Sequence, residues 1–382
     1  MERILPAGFE KEIMDCGLPE AAALLQALRA TEPSLAIRAN AAKGARVAAD
    51  GACRVAWEPQ GVYLDERPLF AADPAWHQGR YYVQDASSMV LGEVVRRIAA
   101  DCPEGCGLRY LDACAAPGGK TIAAIDALPE GSFVVANEAD RHRANILAEN
   151  ICRRGYAAVA VTRGDAARYS RLPEAFHIVA ADVPCSGEGM MRKDPEAVAQ
   201  WSEKLVADCA ALQRKIVREL WKALRPGGTF IYSTCTFNRR ENEENLMWLA
   251  EETGAEGVDL GLDAYEGVLP GIDCPLPCYR FAPGAVRGEG LFIAALRKPG
   301  NPEPLRNCAA AKKARRSEAA DFAARYLADA GNYEVVDRQG RIEAVPSCHA
   351  DLARSLAEGF DTLRCGLPVG ERKGRDLVPA HE

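Results

Sequence analysis

Between residues 108 and 236, short apolar runs alternate with longer stretches whose apolar positions repeat at helical spacing. The apolar runs are LRYLDA (108–113), SFVVANE (132–138), AAVAVTRGD (157–165), FHIVAADVP (176–184) and GTFIYSTC (228–235). Runs this apolar, bounded by turn residues, predict strands buried on both faces. The intervening patterns predict helices at 119–128 and 141–153, and a long one over 196–224 ended by Pro226, Gly227 and Gly228. Such alternation means βαβ units, a parallel sheet and right-handed crossovers, so the fold class is α/β. GLFIAALRK (290–298) predicts one further strand.

The flanks read differently. Residues 1–80 combine a helical stretch, Pro19 to Arg29, with two strand-like pieces, LAIRAN (35–40) and GVYLDE (61–66), and predict a small α+β unit. A helix follows in YYVQDASSMVLGEVVRRIAA. Ser87 or Asp85 can cap it, and Leu91, Val94, Val95 and Ile98 form its buried face. The organisation expected is thus an N-terminal unit at 1–80, a catalytic domain at 81–299, a linker at 300–316 and a C-terminal module at 317–382. The last holds two amphipathic segments and no obvious terminal element, which suggests a module cut short.

Composition narrows the class. The chain has 382 residues, 48% hydrophobic and 26% charged, as ordinary globular proteins do. No apolar stretch approaches a membrane span and the N-terminus lacks a signal-peptide pattern, so the expected setting is cytoplasmic, with no membrane partner. Fourteen cysteines in such a chain predict free thiols rather than a disulfide framework. Cys102 and Cys106 are four apart, as are Cys274 and Cys278. Only five histidines are scattered through the chain, so no metal site is expected. The net charge of −7 argues against wholesale coating of nucleic acid but permits a local basic stripe. Arg306, Lys312, Lys313, Arg315 and Arg316 form one candidate cluster, and Arg372, Lys373 and Arg375 another; a solvated loop is the plainer reading of each.

The chemistry-bearing residues gather at strand ends. In an open α/β sheet the carboxyl edge is where ligands bind. Cys114, Ala115, Ala116, Pro117, Gly118, Gly119 and Lys120 link the first strand of the series to a helix. Cys114 stands where a phosphate loop needs its first glycine, and the dinucleotide fingerprint is incomplete. A methyl-donor site fits instead: glycine permits close approach, and the helix N-terminus offers N–H groups to a carboxylate. Glu138 then suits ribose hydroxyls, Asp165 an adenine amino group, and Asp182 the reacting centre. Cys185 and Cys235 end the fourth and fifth strands, which as consecutive elements are expected to be neighbours about 5 Å apart. Both thiols can then reach one substrate. Tyr81 and Tyr82 can stack on a nucleic acid, although packing explains them as well.

These motifs resemble the NOL1/NOP2/Sun family of RNA cytosine-5 methyltransferases. The resemblance rests on DACAAPGGKT (112–121), NE (137–138), RGD (163–165), DVPCSGEGMMRKDP (182–195), STCT (233–236) and GEGLFIAALRK (288–298), and covers roughly residues 1–300. YVQDASSM and GERKGRDLVP look most like its bacterial, RsmF-like branch acting on 16S ribosomal RNA. The resemblance implies a Rossmann-like fold with a mostly parallel seven-stranded sheet, S-adenosyl-L-methionine as cofactor, RNA as partner and a monomeric enzyme, with a PUA-like RNA-binding module at 317–382. It implies that Cys235 attacks carbon 6 of the cytosine, that Asp182 hydrogen-bonds the base, and that Cys185 assists release. A thiolate is needed for attack, so local N–H groups or a nearby cation such as Lys193 are expected to favour it at Cys235. Three rivals remain: a tRNA cytosine-5 methyltransferase, a DNA cytosine methyltransferase in which Cys185 would attack, and a non-catalytic ribosome-assembly factor.

Overall fold

The computed structural model describes residues 3–45, 54–101, 107–301 and 317–380. Cys102, Cys106, the cations between Arg306 and Arg316, and most of the linker expected at 300–316 lie outside them. Three strands form the N-terminal sheet: β1 (Ala36–Ala39), β2 (Gly61–Tyr63) and β3 (Tyr81–Val83), in the order β2-β1-β3. Because Tyr81–Val83 pairs with β1, this sheet reaches past residue 80, where the first boundary was expected.

The central sheet is built on β4 (Arg109–Asp112), β5 (Phe133–Glu138), β6 (Val159–Arg163), β7 (Phe176–Asp182) and β8 (Leu224–Thr234), all parallel. Two two-residue strands follow, β9 (Glu256–Gly257) and β10 (Leu269–Pro270), then β11 (Cys278–Phe281) and β12 (Leu291–Arg297). β12 runs antiparallel to both β8 and β11. The order β11-β12-β8-β7-β4-β5-β6 is the seven-stranded, mostly parallel arrangement expected.

The sheet is wider than that, with ten strands. Part of the excess comes from the C-terminal segment, whose strands are β13 (Tyr333–Arg338), β14 (Arg341–Pro346), β15 (Asp361–Cys365), β16 (Leu367–Lys373) and β17 (Asp376–Pro379). Four make a small antiparallel sheet, β13-β14-β16-β17. β15 instead pairs with β6 and covers the exposed edge of the central sheet. An uncovered edge strand invites pairing with other chains, so this tail completes the domain beside it.

Helices cover both faces. Val134 and Ala136 of β5 point into a core with Val94 and Ile98 of helix Ala86–Ala100 and Leu147 and Ile151 of helix Arg141–Arg154. Phe133 and Val135 face the opposite core, with Val217 and Leu220 of helix Glu203–Ala223 and Leu352 and Leu356 of helix Ala350–Gly359. Every residue of β5 is buried, which is why these strands read as continuous apolar runs. The long helix expected over 196–224 is two, Pro195–Gln200 and Glu203–Ala223. Trp201 is extended between them and Ser202 accepts from the Leu205 amide at 3.1 Å as an N-cap. A helix absent from the expectations, Ala7–Asp15, buries Phe9 and Ile13 in a cluster with Met191, Trp201 and Phe237. The N-terminal unit thus packs against the loops that follow β7 and β8.

Candidate active site

The strand order reverses between β4 and β7, and there the loops after β4, β7 and β8 converge. β7 and β8 are parallel neighbours with Asp182 opposite Ser233, so their last residues carry Cys185 and Cys235 out side by side. The two sulfur atoms are 3.3 Å apart. Asp182 accepts from Ser233 Oγ at 2.9 Å through Oδ1 and from Lys120 Nζ at 2.9 Å through Oδ2. Lys120, from the glycine loop, therefore stands at the reacting end. Burial works against its charge, but Asp182 and then Cys235 outweigh burial and raise its pKa. Lys193, the cation expected beside Cys235, instead lies 3.7 Å from Glu289, next to the buried Arg192–Glu289 pair.

The hydrogen bond to Cys235, then burial, push Cys185 far above the ordinary thiol range. Cys185 accordingly keeps its proton at neutral pH and is poorly suited to attack, since the thiolate is the nucleophile.

The loop after β4 is braced from behind. Arg143 donates to Ala116 O at 2.8 Å, and Asn150 to Pro117 O at 2.7 Å. Gly118 sits at φ +110°, and a Cβ there would come within 3.1 Å of Leu147 Cδ1, so both conformation and packing call for glycine. Helix Gly119–Ala127 starts immediately after. Cys114 is inert by environment: burial, then Asp112, drives its thiol far up. Glu138 is buried at the end of β5, accepting from the Asp140 amide at 3.0 Å with Arg143 at 3.4 Å. Asp165 is exposed and caps the turn after β6 through the Ala167 amide at 2.9 Å.

Two residues missed from sequence belong to this neighbourhood. Gln84 is buried, neither atom of its amide has a hydrogen-bond partner, and Nε2 lies 3.4 Å from where a Cβ on Gly119 would be. An orphaned amide beside a helix N-terminus is what a polar ligand would satisfy. Asp112, beneath the loop, is wholly enclosed and accepts from Thr121 Oγ1 at 2.6 Å. Burial raises its pKa from 3.8 to about 7. An acid with a raised folded pKa holds a proton that the unfolded chain has released. Its contribution to stability is complete below about 3.8 and is lost as the pH climbs to about 7. Asp112→Asn keeps an acceptor for Thr121 but cannot ionise. Melting curves across that window are therefore expected to show the variant gaining on the wild type with rising pH, by on the order of a few kcal/mol, and no further gain above it.

A cavity of about 1400 Å³ opens between the N-terminal unit and the loop after β7. Arg3, Arg67, Lys193 and Arg287 line it together with Gln84 and Asp85. Arg287 lies 4.3 Å over the Tyr63 ring. The cavity's cations are partly paired, Arg3 with Glu32 at 3.2 Å and Arg287 with Asp65 at 3.8 Å, and so are the C-terminal ones. Arg372 pairs with Glu318 at 3.1 Å and Asp337 at 3.5 Å, and Lys373 with Glu371 at 2.6 Å. Tyr81 donates to Asp73 at 2.6 Å and Tyr82 packs on the core, so both serve structure. Among the described residues no group of three or more His, Cys, Asp or Glu is placed to hold a metal ion, and no helix is long and apolar enough to cross a membrane.

Comparison with known proteins adds sequence relatives. A family model described as 16S rRNA methyltransferase RsmB/F matches residues 105–297, half of the chain, and one for the N-terminal domain of 16S rRNA methyltransferase RsmF matches residues 5–86. Ribosomal RNA small subunit methyltransferase F of Cronobacter sakazakii is 38% identical over 260 residues, covering 66% of this chain and 52% of the relative. The Citrobacter koseri protein of the same name is 39% identical over 262 residues, with the same coverage. The chain spans about half the length of the curated relatives it matches. Among solved structures, NSun6 from Pyrococcus horikoshii with SFG superposes with a TM-score of 0.63 at 20% identity, over 78% of this chain and 99% of that one. A methyltransferase homolog from the same organism gives 0.60 at 22% identity, over 77% and 100%. These two share the fold.

Proposed function

The chain belongs to the family described as 16S rRNA methyltransferase RsmB/F, and from that premise we propose that it methylates carbon 5 of a cytidine in ribosomal RNA through a covalent cysteine–cytosine adduct. The observation that carries this reading is the thiol pair, 3.3 Å apart and flanked by the Lys120–Asp182 ion pair. S-adenosyl-L-methionine supplies the methyl group when bound. Residues 114–119 suit its amino-acid end, Glu138 its ribose and Asp165 its adenine, and the unsatisfied Gln84 amide and the glycine cradle at Gly118 fit such a ligand.

Carbon 5 of cytosine is too weak a nucleophile to be methylated unaided. Addition of the Cys235 thiolate to carbon 6 pushes electron density onto carbon 5. Asp182 accepts from the exocyclic amine, while its partner Lys120 places positive charge against the negative charge that the ring develops. Cys185, holding its proton, takes no part in attack. It serves the later step, in which the carbon 5 proton is lost and the carbon 6–sulfur bond breaks. A DNA-type mechanism would need Cys185 as the thiolate, which its surroundings disfavour.

The base must leave its stack to reach this site, so a single-stranded or flipped cytidine is the substrate form. The groove lined by Arg3, Arg67, Lys193 and Arg287 suits the flanking phosphates. On this reading RNA is the partner, and the protein acts as a monomer in the cytoplasm. Bisulfite sequencing of total RNA from cells with and without the gene tests the assignment. Loss of one methylated cytidine in 16S RNA is expected; loss confined to tRNA would replace the substrate, and no loss at all would leave the assembly-factor reading.

A further inference from the structure

The two loops that carry the cysteines are tied together by buried carboxylates, each reaching across to the other loop. Glu188, three residues after Cys185, accepts from the backbone amides of Phe237 at 2.7 Å and Asn238 at 3.0 Å, just after Cys235. Trp201 Nε1 and Asn238 Nδ2 donate to its second oxygen, each at 3.0 Å. Glu241, six residues after Cys235, reaches the opposite way. Its Oε2 accepts from the amide of Ser186, next to Cys185, at 3.0 Å, and from Gln213 Nε2 at 2.7 Å. Gln213 also donates to Pro184 O at 2.9 Å, so both neighbours of Cys185 are held. Asn238 Nδ2 also lies 2.8 Å from Glu241 Oε1 and from Thr236 Oγ1, so its two hydrogens are shared among these acceptors.

Glu188, Gln213, Asn238 and Glu241 have no exposed surface at all. Two carboxylates are an expensive way to join two loops. Burying a charge costs several kcal/mol unless hydrogen bonds compensate it. Every partner named is a donor, as an ionised carboxylate requires, although burial, with Glu188 close by, still holds Glu241 above the ordinary carboxylate range. A neutral clamp would join the loops more cheaply. What a carboxylate adds is stronger, shorter and more directional bonds to backbone amides, which fix position rather than merely hold contact.

Resting on the methyltransferase reading above, we propose that Glu188 and Glu241 are reciprocal positioning residues that set the spacing of the two thiols, Glu188 fixing Cys235 and Glu241 fixing Cys185. The two halves of the clamp then govern different steps. Loosening Glu188 disturbs the attacking sulfur, and loosening Glu241 disturbs the sulfur that serves release. In either Glu→Gln variant the new amide must turn its NH2 toward a donor, so at least one bond of the clamp is lost.

The test has one arm without RNA and one with it. Phenylarsine oxide bridges two thiols held side by side, and peptide mapping distinguishes a Cys185–Cys235 bridge from one at Cys274 and Cys278. In the full chain, E188Q and E241Q are each expected to slow the Cys185–Cys235 bridge by tenfold or more. With RNA and methyl donor, E241Q is expected to form the covalent adduct at near the wild-type rate but to release it at least tenfold more slowly. E188Q is expected to do the reverse, forming adduct slowly and accumulating none. A merely structural role would slow both steps together. Should E241Q not fold, Q213M removes the donor shared by Pro184 and Glu241 and is expected to slow release in the same way. Unchanged bridging in E188Q together with either E241Q or Q213M, or equal slowing of both steps, overturns the clamp. Wild-type bridging that depends on the glutamates in a protein that never captures RNA would uphold the spacing role and overturn the methyltransferase reading instead.

Discussion

Replacing Cys235 by alanine is expected to reduce methyl transfer by more than about a thousandfold and to abolish covalent capture of RNA, whereas Cys185→Ala leaves RNA attached to the protein. Loss of a nucleophile removes the step on which every later one depends, and single deletions in catalytic groups of this kind have effects of that order or larger. In the proposed mechanism Cys185 acts after attack. It lies 3.3 Å from Cys235 and keeps its proton, so its removal spares the bond-forming sulfur while depriving the adduct of the group that helps dissolve it. Denaturing gels of protein incubated with RNA and methyl donor separate the two outcomes: a nuclease-sensitive band of lower mobility with Cys185→Ala and none with Cys235→Ala. A captured band in the Cys235 variant would assign attack to Cys185.

Asp182→Asn is expected to lower kcat by about a hundred- to a thousandfold with little change in KM for RNA. Oδ1 can still accept from Ser233, but the group facing Lys120 becomes an amide N–H2 opposite an ammonium. The variant loses both the ion pair and the acceptor for the exocyclic amine, and the lost contacts matter most when the ring carries charge. Single-turnover rates against RNA concentration measure the split. A raised KM at unchanged kcat would make Asp182 a binding residue only.

Much of this was legible in the sequence because the central sheet is buried on both faces. The strands from β4 to β8 and β12 read as apolar runs, and strand ends put the glycine loop, Asp182, Cys185 and Cys235 on one edge. What local pattern cannot carry is where distant segments dock. DTLRC at 361–365 is an ordinary short strand by composition, and only the open edge of β6 makes it part of the central sheet. Helix Ala7–Asp15 has two apolar anchors four residues apart and no side-chain cap, so it gains its stability from Trp201 and Phe237, far along the chain.

Charge was the least legible property. RRENEEN (239–245) is rich in charge, yet Glu241 and Glu243 are fully buried, Glu241 against the Ser186 amide and Gln213, and Glu243 against Arg280 and the Ile272 amide. Lys193 lies in the cysteine motif itself and looked the natural cation for Cys235. Glu289 takes it instead, while Lys120 approaches from a loop more than sixty residues upstream, since β4 and β7 are neighbours in the sheet. Sequence proximity favoured the wrong lysine.

The most direct measurement is mapping of the covalent bond. In a 16S RNA fragment bearing 5-fluorocytidine, fluorine replaces the carbon 5 hydrogen whose loss drives elimination, so the adduct formed in the presence of methyl donor persists and can be digested to a nucleotide-bearing peptide. The mechanism predicts that nucleotide on Cys235, in the peptide containing Ser233 and Thr236. Its appearance on Cys185, or the absence of any adduct under conditions in which methyl groups reach RNA, would contradict it.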